Sequence, residues 1–68
     1  MIKFSVNGEK QELSDELTLS QYLGTRSLNP LHVIIEYNRE FLPREKFSEI
    51  KIKEGDNLEI IRAMAGGH

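Results

Sequence analysis

The chain has 68 residues, no cysteine and a formal net charge of −2. A sequence this short forms one domain and buries only about 60% of the surface that its unfolded form exposes, which leaves little room for a closed substrate pocket. The lack of cysteine excludes a disulfide, a catalytic thiolate and a cysteine metal ligand. His32 and His68 have no metal-ligand spacing, so we expect no bound metal or cofactor.

Charge and hydropathy also restrict the partners. Charged residues make up 29% of the chain and form no run of one sign, so nucleic acid is not an expected partner. No stretch approaches the ~20 apolar residues of a membrane span, and the opening segment alternates between apolar and polar residues, unlike a signal peptide. We therefore expect no membrane association and a cytoplasmic location.

The first predicted element is a β-hairpin. Ile2, Phe4 and Val6 alternate with polar residues, which is the period of a half-buried strand. Asn7-Gly8 follows, and both residue types tolerate the positive φ angles of a two-residue turn. The returning strand, residues 9–13, is polar, so we expect it at an edge of the sheet.

A short helix is predicted next. Thr18 and Gln21 fit a capping box, in which each side chain accepts a hydrogen bond from the other residue's backbone N–H. The residues spaced to face a core are Leu19, Tyr22 and Leu23. The helix should end within the stretch from Gly24 to Asn29, because Gly ends helices and Pro30 prevents resumption. A helix this short is unstable alone, so we expect it to pack on a sheet.

The second half of the chain is mostly extended. The β-branched residues of 32–37 predict a central strand that opens at His32, and Asn38-Arg39 predicts a turn into a short strand, residues 40–42. Pro43 ends that strand, and residues 44–47 indicate a single helical turn.

A last strand is predicted after one more extended segment. Ile50 and Ile52 continue the chain in extended form to a tight turn at Glu54-Gly55-Asp56. Residues 58–62 then form the last strand.

The order of these elements predicts the topology. A right-handed crossover through the helix places the last strand parallel to the first and beside it. The helix then covers one face of a mixed sheet. We therefore predict an α+β chain with a β-grasp (ubiquitin-like) fold, four to five strands and one short helix, over residues 1–65. Residues 66–68 form a tail.

Alternation assigns the faces of the last strand. Leu58 and Ile60 should face the helix, which leaves Ile61 on the open face as the one apolar residue that the core does not explain. Ile61 and Met64 either pack loosely on the core or dock a partner, because apolar groups near a functional tail often mark an interface. Arg44 sets a turn with Pro43 or contacts a partner.

The glycine pair Gly66-Gly67 is the main functional candidate. Glycines after a last strand make a thin tail that can enter a narrow channel of a partner. Taken alone, the dipeptide is more typical of a disordered terminus than of a functional tail.

The whole chain resembles the ubiquitin-like sulfur carriers. The resemblance is carried by Asn7-Gly8, Asn38 with Leu42-Pro43-Arg44, Phe47, Glu54-Gly55-Asp56 and the final Gly66-Gly67. The Asn-x-x-x-Leu-Pro-Arg segment favours the thiamine-pathway carriers over the small subunit of molybdopterin synthase.

This resemblance implies a mechanism centred on Gly67. An E1-like adenylating enzyme activates the terminal glycine with ATP, and sulfur from a persulfide then converts the carboxyl group to a thiocarboxylate. The carrier delivers that sulfur to an acceptor, thiazole synthase in the thiamine pathway. It is not an enzyme itself, and ATP belongs to the activating enzyme.

His68 departs from the family pattern, because it leaves Gly67 without a free carboxylate. Either a peptidase removes His68 or the residue was added during expression. Related carriers of cysteine, methionine or other sulfur pathways are trimmed by a zinc peptidase, so such a precursor is an alternative reading. A protein modifier conjugated through Gly67 and an inert interaction module are two further alternatives. No nucleophile and base pair suggests an enzyme.

Overall fold

The computed structural model describes residues 1–62 as a five-stranded sheet with one α-helix on it. The strands are β1 (Ile2–Val6), β2 (Glu9–Leu13), β3 (Val33–Tyr37), β4 (Glu40–Leu42) and β5 (Asn57–Arg62), and the helix α1 spans Leu19–Thr25. Single turns of 3-10 helix span Pro30–His32 and Arg44–Lys46. No helix in the described part is long and apolar enough to cross a membrane.

The sheet has the order β2-β1-β5-β3-β4 and is mixed. Strand β5 lies between β1 and β3, parallel to the first and antiparallel to the second. The predicted parallel pairing of the first and last strands is therefore confirmed. The polar strand β2 lies at an edge, also as predicted. Charged side chains on an edge strand discourage its unpaired backbone groups from pairing with another chain.

Both predicted hairpin turns are present. Asn7 and Gly8 have φ angles of 52° and 83°, and Asn38 and Arg39 have φ angles of 52° and 72°. Two consecutive left-handed residues are what a tight hairpin between right-twisted strands requires. Arg39 adopts this conformation without the advantage of Gly or Asn, so the Asn38-Arg39 turn carries some backbone strain.

The capping box starts α1 as predicted. The Gln21 N–H donates to Thr18 Oγ1 at 3.1 Å, and the Thr18 N–H donates to Gln21 Oε1 at 2.9 Å. These bonds satisfy backbone donors that a helix start otherwise leaves unpaired. Thr18 and Gln21 are three residues apart, so this capping box could be predicted from the sequence.

The core lies between α1 and one face of the sheet. Its buried hydrophobic residues are Phe4, Leu19, Tyr22, Leu23, Val33, Ile35, Phe47, Ile52 and Leu58. The rings of Phe4 and Tyr22 meet edge to face, with centroids 5.5 Å apart. This geometry suits the opposite charges of a ring edge and a ring face, and it fixes the helix over β1.

The start of the third strand differs from the sequence-based prediction. His32 belongs to the 3-10 turn and not to the strand, because Pro30 presets the turn and the Asn29 side chain accepts from the Leu31 N–H at 2.9 Å. The predicted extended segment around Ile52 forms one isolated bridge, between Thr18 and Lys51. It is extended but pairs with the residues before α1.

A buried carboxylate organises the turn before β5. Asp56 is 7% exposed and accepts hydrogen bonds from the Tyr37 hydroxyl and the Lys53 N–H, each at 2.8 Å, and from Asn38 Nδ2 at 3.3 Å. Burial, and then the hydrogen bond and the charge of Asp56, raise the pKa of Tyr37 from 10.0 to about 12. The folded state therefore favours the neutral, protonated form of the Tyr37 side chain.

This raised pKa predicts a loss of stability in alkali. A group whose pKa is higher in the folded state stabilises the fold below its unfolded pKa and loses that contribution as the pH rises through its folded pKa. The free energy of unfolding should therefore fall as the pH rises from about 10 to about 12. Tyr37→Phe, which cannot ionise, should show a smaller fall in urea titrations over this interval. Identical pH dependence of the variant and the wild type would contradict the assigned contact.

Candidate functional site

The register of β3 and β5 shows which residues face the helix and which do not. Residues that pair directly across antiparallel strands lie on the same face. Ile35 pairs with Ile60 on the helix side, whereas Ile34 pairs with Ile61 on the opposite side. Leu58 is fully buried and Ile61 is 49% exposed, so the predicted faces of the last strand are confirmed.

The uncovered face holds more apolar surface than the sequence suggested. Ile34 is 43% exposed and Phe41 is 68% exposed, and both lie on the same face as Ile61. The prediction that Ile61 is the one unexplained apolar residue there was wrong. The continuous apolar run in β3 concealed its alternation, and three residues of β4 were too few to show one.

These residues form a surface that we call the open patch, consisting of Ile34, Glu36, Phe41, Glu59 and Ile61. Within it, Glu36 lies directly opposite Glu59 on β5 and opposite Phe41 on β4. The ion pairs among residues 1–62 are Lys46–Glu49 and Lys51–Glu16, so neither glutamate of the patch has a cationic partner in this part of the chain. The patch therefore combines exposed apolar groups with two opposed carboxylates.

The end of β5 is held by an asparagine that sequence reasoning treated only as a turn residue. The Ile60 N–H donates to Asn7 Oδ1 at 2.8 Å, and Asn7 Nδ2 donates to the Ile60 carbonyl at 3.1 Å. One side-chain amide thus pairs with β5 as a backbone peptide would, beyond the last residue of β1. On the other side, β3 remains paired as far as Arg62. The strand that leads to the tail is consequently held on both edges.

The remaining site candidates divide into one that is described and four that are not. Arg44 Nε donates to the Pro30 carbonyl at 3.1 Å and so joins the two 3-10 turns. This contact supports the turn-forming role, and a partner contact by Arg44 stays a prediction. The other candidates are Met64, Gly66, Gly67 and His68, and they lie outside the described residues.

A cleft on the helix side of the sheet is lined by residues whose contacts support the fold. It has a volume of about 530 Å³ and is lined in part by Tyr22, Arg26 and Arg62. The Arg26 guanidinium lies 5.5 Å from the centre of the Tyr22 ring, donates to the Tyr22 hydroxyl at 3.2 Å, and donates to Gln11 Oε1. These contacts connect the end of α1 to β2. The described residues also contain no group of three potential metal ligands.

The described geometry leaves one face of the sheet uncovered, and comparison with known families shows which proteins share this fold. The model of the ThiS family matches residues 3–67, which is nearly the whole chain. This chain belongs to the ThiS family. The predicted resemblance to the thiamine-pathway branch of the sulfur carriers is thereby confirmed.

Solved structures of ThiS proteins show the same fold. The crystal structure of the thiamine biosynthesis protein ThiS from Geobacter metallireducens superimposes with a TM-score of 0.81 at 29% identity, covering 97% of this chain and 100% of that one. The solution NMR structure of a thiamine biosynthesis protein from the same organism gives a TM-score of 0.80 at 28% identity, covering 98% and 90%. The predicted β-grasp fold with one helix on a mixed sheet is confirmed.

Two sequence relatives differ greatly in length. A thiazole synthase from Paramagnetospirillum magneticum is 30% identical over 66 residues, which are 97% of this chain but only 20% of that protein. The uncharacterized protein ycf40 from Porphyra purpurea is 33% identical over 66 residues, 97% of this chain and 93% of that protein. A segment like this ThiS-family chain therefore occurs both in a protein of similar length and within a much longer one.

The assignment of faces predicts how substitutions in β5 affect folding. Ile61→Asp should change the free energy of unfolding by about 1 kcal/mol or less, because that side chain is half exposed already. Leu58→Asp is the matched control on the same strand, and it should abolish folding because it buries an unpaired charge. Circular dichroism with urea titration would distinguish the two. An unfolded Ile61→Asp variant would show that the faces are wrongly assigned.

Proposed function

We propose that this chain is a sulfur carrier of thiamine synthesis that carries sulfur as a thiocarboxylate on Gly67 and donates it to thiazole synthase. The observation that supports the proposal best is the ThiS family match, which extends through Gly67. The structural likeness to a thiamine biosynthesis protein and the sequence likeness to a segment of a thiazole synthase support it further. The chain itself is not a catalyst in this proposal.

The first step is activation by an E1-like adenylating enzyme. An oxygen of the Gly67 carboxylate attacks the α-phosphorus of ATP, which forms an acyl adenylate and releases pyrophosphate. A carboxylate is a poor electrophile at neutral pH, and the adenylate supplies the leaving group that it lacks. The ATP site belongs to the enzyme, so the carrier needs only a carboxyl group that can reach it.

The second step exchanges oxygen for sulfur. The terminal sulfur of a protein persulfide attacks the Gly67 carbonyl and displaces AMP, which gives an acyl disulfide. A second thiol then attacks the other sulfur of the acyl disulfide, which belongs to the persulfide-bearing protein. The attack forms a disulfide between this thiol and that protein and releases Gly67 as a thiocarboxylate. The chain has no cysteine that could compete for this sulfur, so the Gly67 carboxyl group is where it resides.

Docking is the other requirement of a carrier, and the open patch suits it. Exposed apolar residues grouped on one face of a small protein commonly mark an interaction site. Ile61 belongs to β5, whose last residue, Arg62, is followed by the segment that leads to Gly67. A partner that binds the patch would therefore hold the strand from which the tail leaves. Met64 and Arg44 are proposed to add contacts with the same partner.

His68 favours one variant of this function. An amide joins Gly67 to His68 in the sequence, and an amide oxygen is a much weaker nucleophile toward ATP than a carboxylate. In that variant a peptidase cuts after Gly67 before activation, as in precursor-type carriers of other sulfur pathways. A glycine before the cut suits a channel too narrow for a side chain.

The central prediction concerns the mass of the activated carrier. A form that ends at Gly67, incubated with its E1-like enzyme, ATP and a sulfur source, should become about 16 Da heavier as sulfur replaces one oxygen, and the product should react with a thiol-alkylating reagent. Intact-mass spectrometry measures both changes. Because the chain has no cysteine, the form left without ATP should take up no alkylating reagent.

An unchanged mass with the matching activating enzyme would contradict the carrier proposal. A stable adduct with lysines of other proteins would instead indicate a protein modifier, which shares only the adenylation step.

A separate prediction concerns His68. ATP–pyrophosphate exchange by the purified activating enzyme should be supported by the form that ends at Gly67 and not by the form that retains His68. Mass spectrometry at the end of the assay would verify that His68 is still attached. Equal exchange by both intact forms would rule out a required cut.

A further inference from the structure

The positions of the two glutamates of the open patch destabilise the isolated fold. Glu36 and Glu59 are direct cross-strand partners on the uncovered face. Side chains in such positions have Cβ atoms roughly 5 Å apart, and like charges there destabilise the pairing. Glu36 is half-buried, so water screens it incompletely, and neither carboxylate has an ion-pair partner among residues 1–62. Folding of this chain does not explain the pair.

The surroundings of the pair indicate what would neutralise it. Phe41 lies beside Glu36 on β4, and the exposed pair Ile34 and Ile61 lies one pleat further along β3 and β5. A cation bound here must therefore satisfy two carboxylates and tolerate apolar neighbours. A planar guanidinium can donate to two acceptors at once, is weakly hydrated, and stacks on aromatic rings, whereas an ammonium group is strongly hydrated.

We propose that the open patch binds an arginine side chain of thiazole synthase, whose guanidinium lies between Glu36 and Glu59 while apolar groups of the synthase cover Ile34 and Ile61. The proposal rests on the proposed function and names the chemistry by which the acceptor enzyme is recognised. Its support is charge complementarity at a defined pair of residues, since a single arginine removes a repulsion that the free carrier retains.

The long relative supports the choice of thiazole synthase as the occupant. One protein named thiazole synthase includes a segment like this chain over a fifth of its length. Two parts of one polypeptide meet at a high effective concentration and need little affinity for each other. Where carrier and synthase are not joined in one polypeptide, the contact between their surfaces must supply the affinity.

The first test measures binding and stability in the same variants. The form that ends at Gly67 is titrated with thiazole synthase from the same organism by isothermal calorimetry, at low and high salt. Glu36→Gln and Glu59→Gln should each raise the Kd by at least about tenfold and flatten its salt dependence. Each should also raise the urea midpoint of the isolated carrier, because the repulsion is removed.

Glu12→Gln is the matched control. Glu12 lies on the same face of the sheet but opposite Lys3, where the charges are complementary. Its replacement should leave the Kd unchanged and should not raise the urea midpoint. A purely structural role for Glu36 and Glu59 cannot produce tighter folding together with weaker binding.

The second test identifies the cation. Modification of the synthase with phenylglyoxal, which reacts with arginine, should abolish binding, and bound carrier should protect against it. Acetylation of the synthase lysines should leave binding in place. The reverse pattern would overturn the arginine assignment.

Three results would overturn the proposal outright. The first two are unchanged binding by both Gln variants and no binding of the wild-type form to the synthase. The third is a dimer of this chain in sedimentation experiments that the synthase does not dissociate. Conversion of the same samples to the thiocarboxylate is measured in parallel. Conversion without synthase binding overturns the docking proposal alone, whereas absent conversion overturns the proposed function while calorimetry still decides the docking.

Discussion

The packing of one short helix on one face of the sheet is the contact on which the rest of this structure depends. Helix α1 has seven residues and contributes Leu19, Tyr22 and Leu23 to the core, so it can cover the helix side of the strands and nothing else. Residues 1–62 contain no second layer that covers the other side. One face of the sheet therefore holds the fold together, and the other remains accessible to partners.

Strand β5 connects the two faces and the tail. Leu58 belongs to the core and Ile61 to the open patch, so one strand packs against the helix on one side and exposes apolar surface on the other. Its start is held by the buried carboxylate of Asp56, and its end by the side chain of Asn7. A strand anchored in this way can offer a fixed surface, which is what the proposed docking to a partner requires.

Local signals in the sequence predicted the fold well because they involve residues close together in the chain. Asn7-Gly8 predicted a hairpin, Thr18 and Gln21 predicted the helix start, and alternation in β5 predicted its faces. The boundary error has a physical cause of the same kind. Pro30 and the Asn29 cap place His32 in a 3-10 turn, so the third strand starts one residue later than predicted.

The site was less predictable because its features depend on contacts between distant residues. The opposition of Glu36 and Glu59 follows from the register of β3 and β5, which the sequence of either strand does not reveal. Ile34 was hidden in a continuous apolar run, and Phe41 in a strand of three residues. The pairing of the Asn7 amide with Ile60 joins residues 53 positions apart. The glycine pair is visible in the sequence, but its role rests on the family and on chemistry.

The proposed division of the sheet into a structural face and a docking face can be tested directly by NMR. A ¹⁵N-labelled form that ends at Gly67 is titrated with unlabelled thiazole synthase, and amide chemical shifts and line widths are followed along residues 1–62. The largest changes should occur in β3, β4 and the second half of β5, at and around the open patch, while the amides of α1 change little. Changes concentrated in α1 and β2, with β3 and β5 unaffected, would contradict this account.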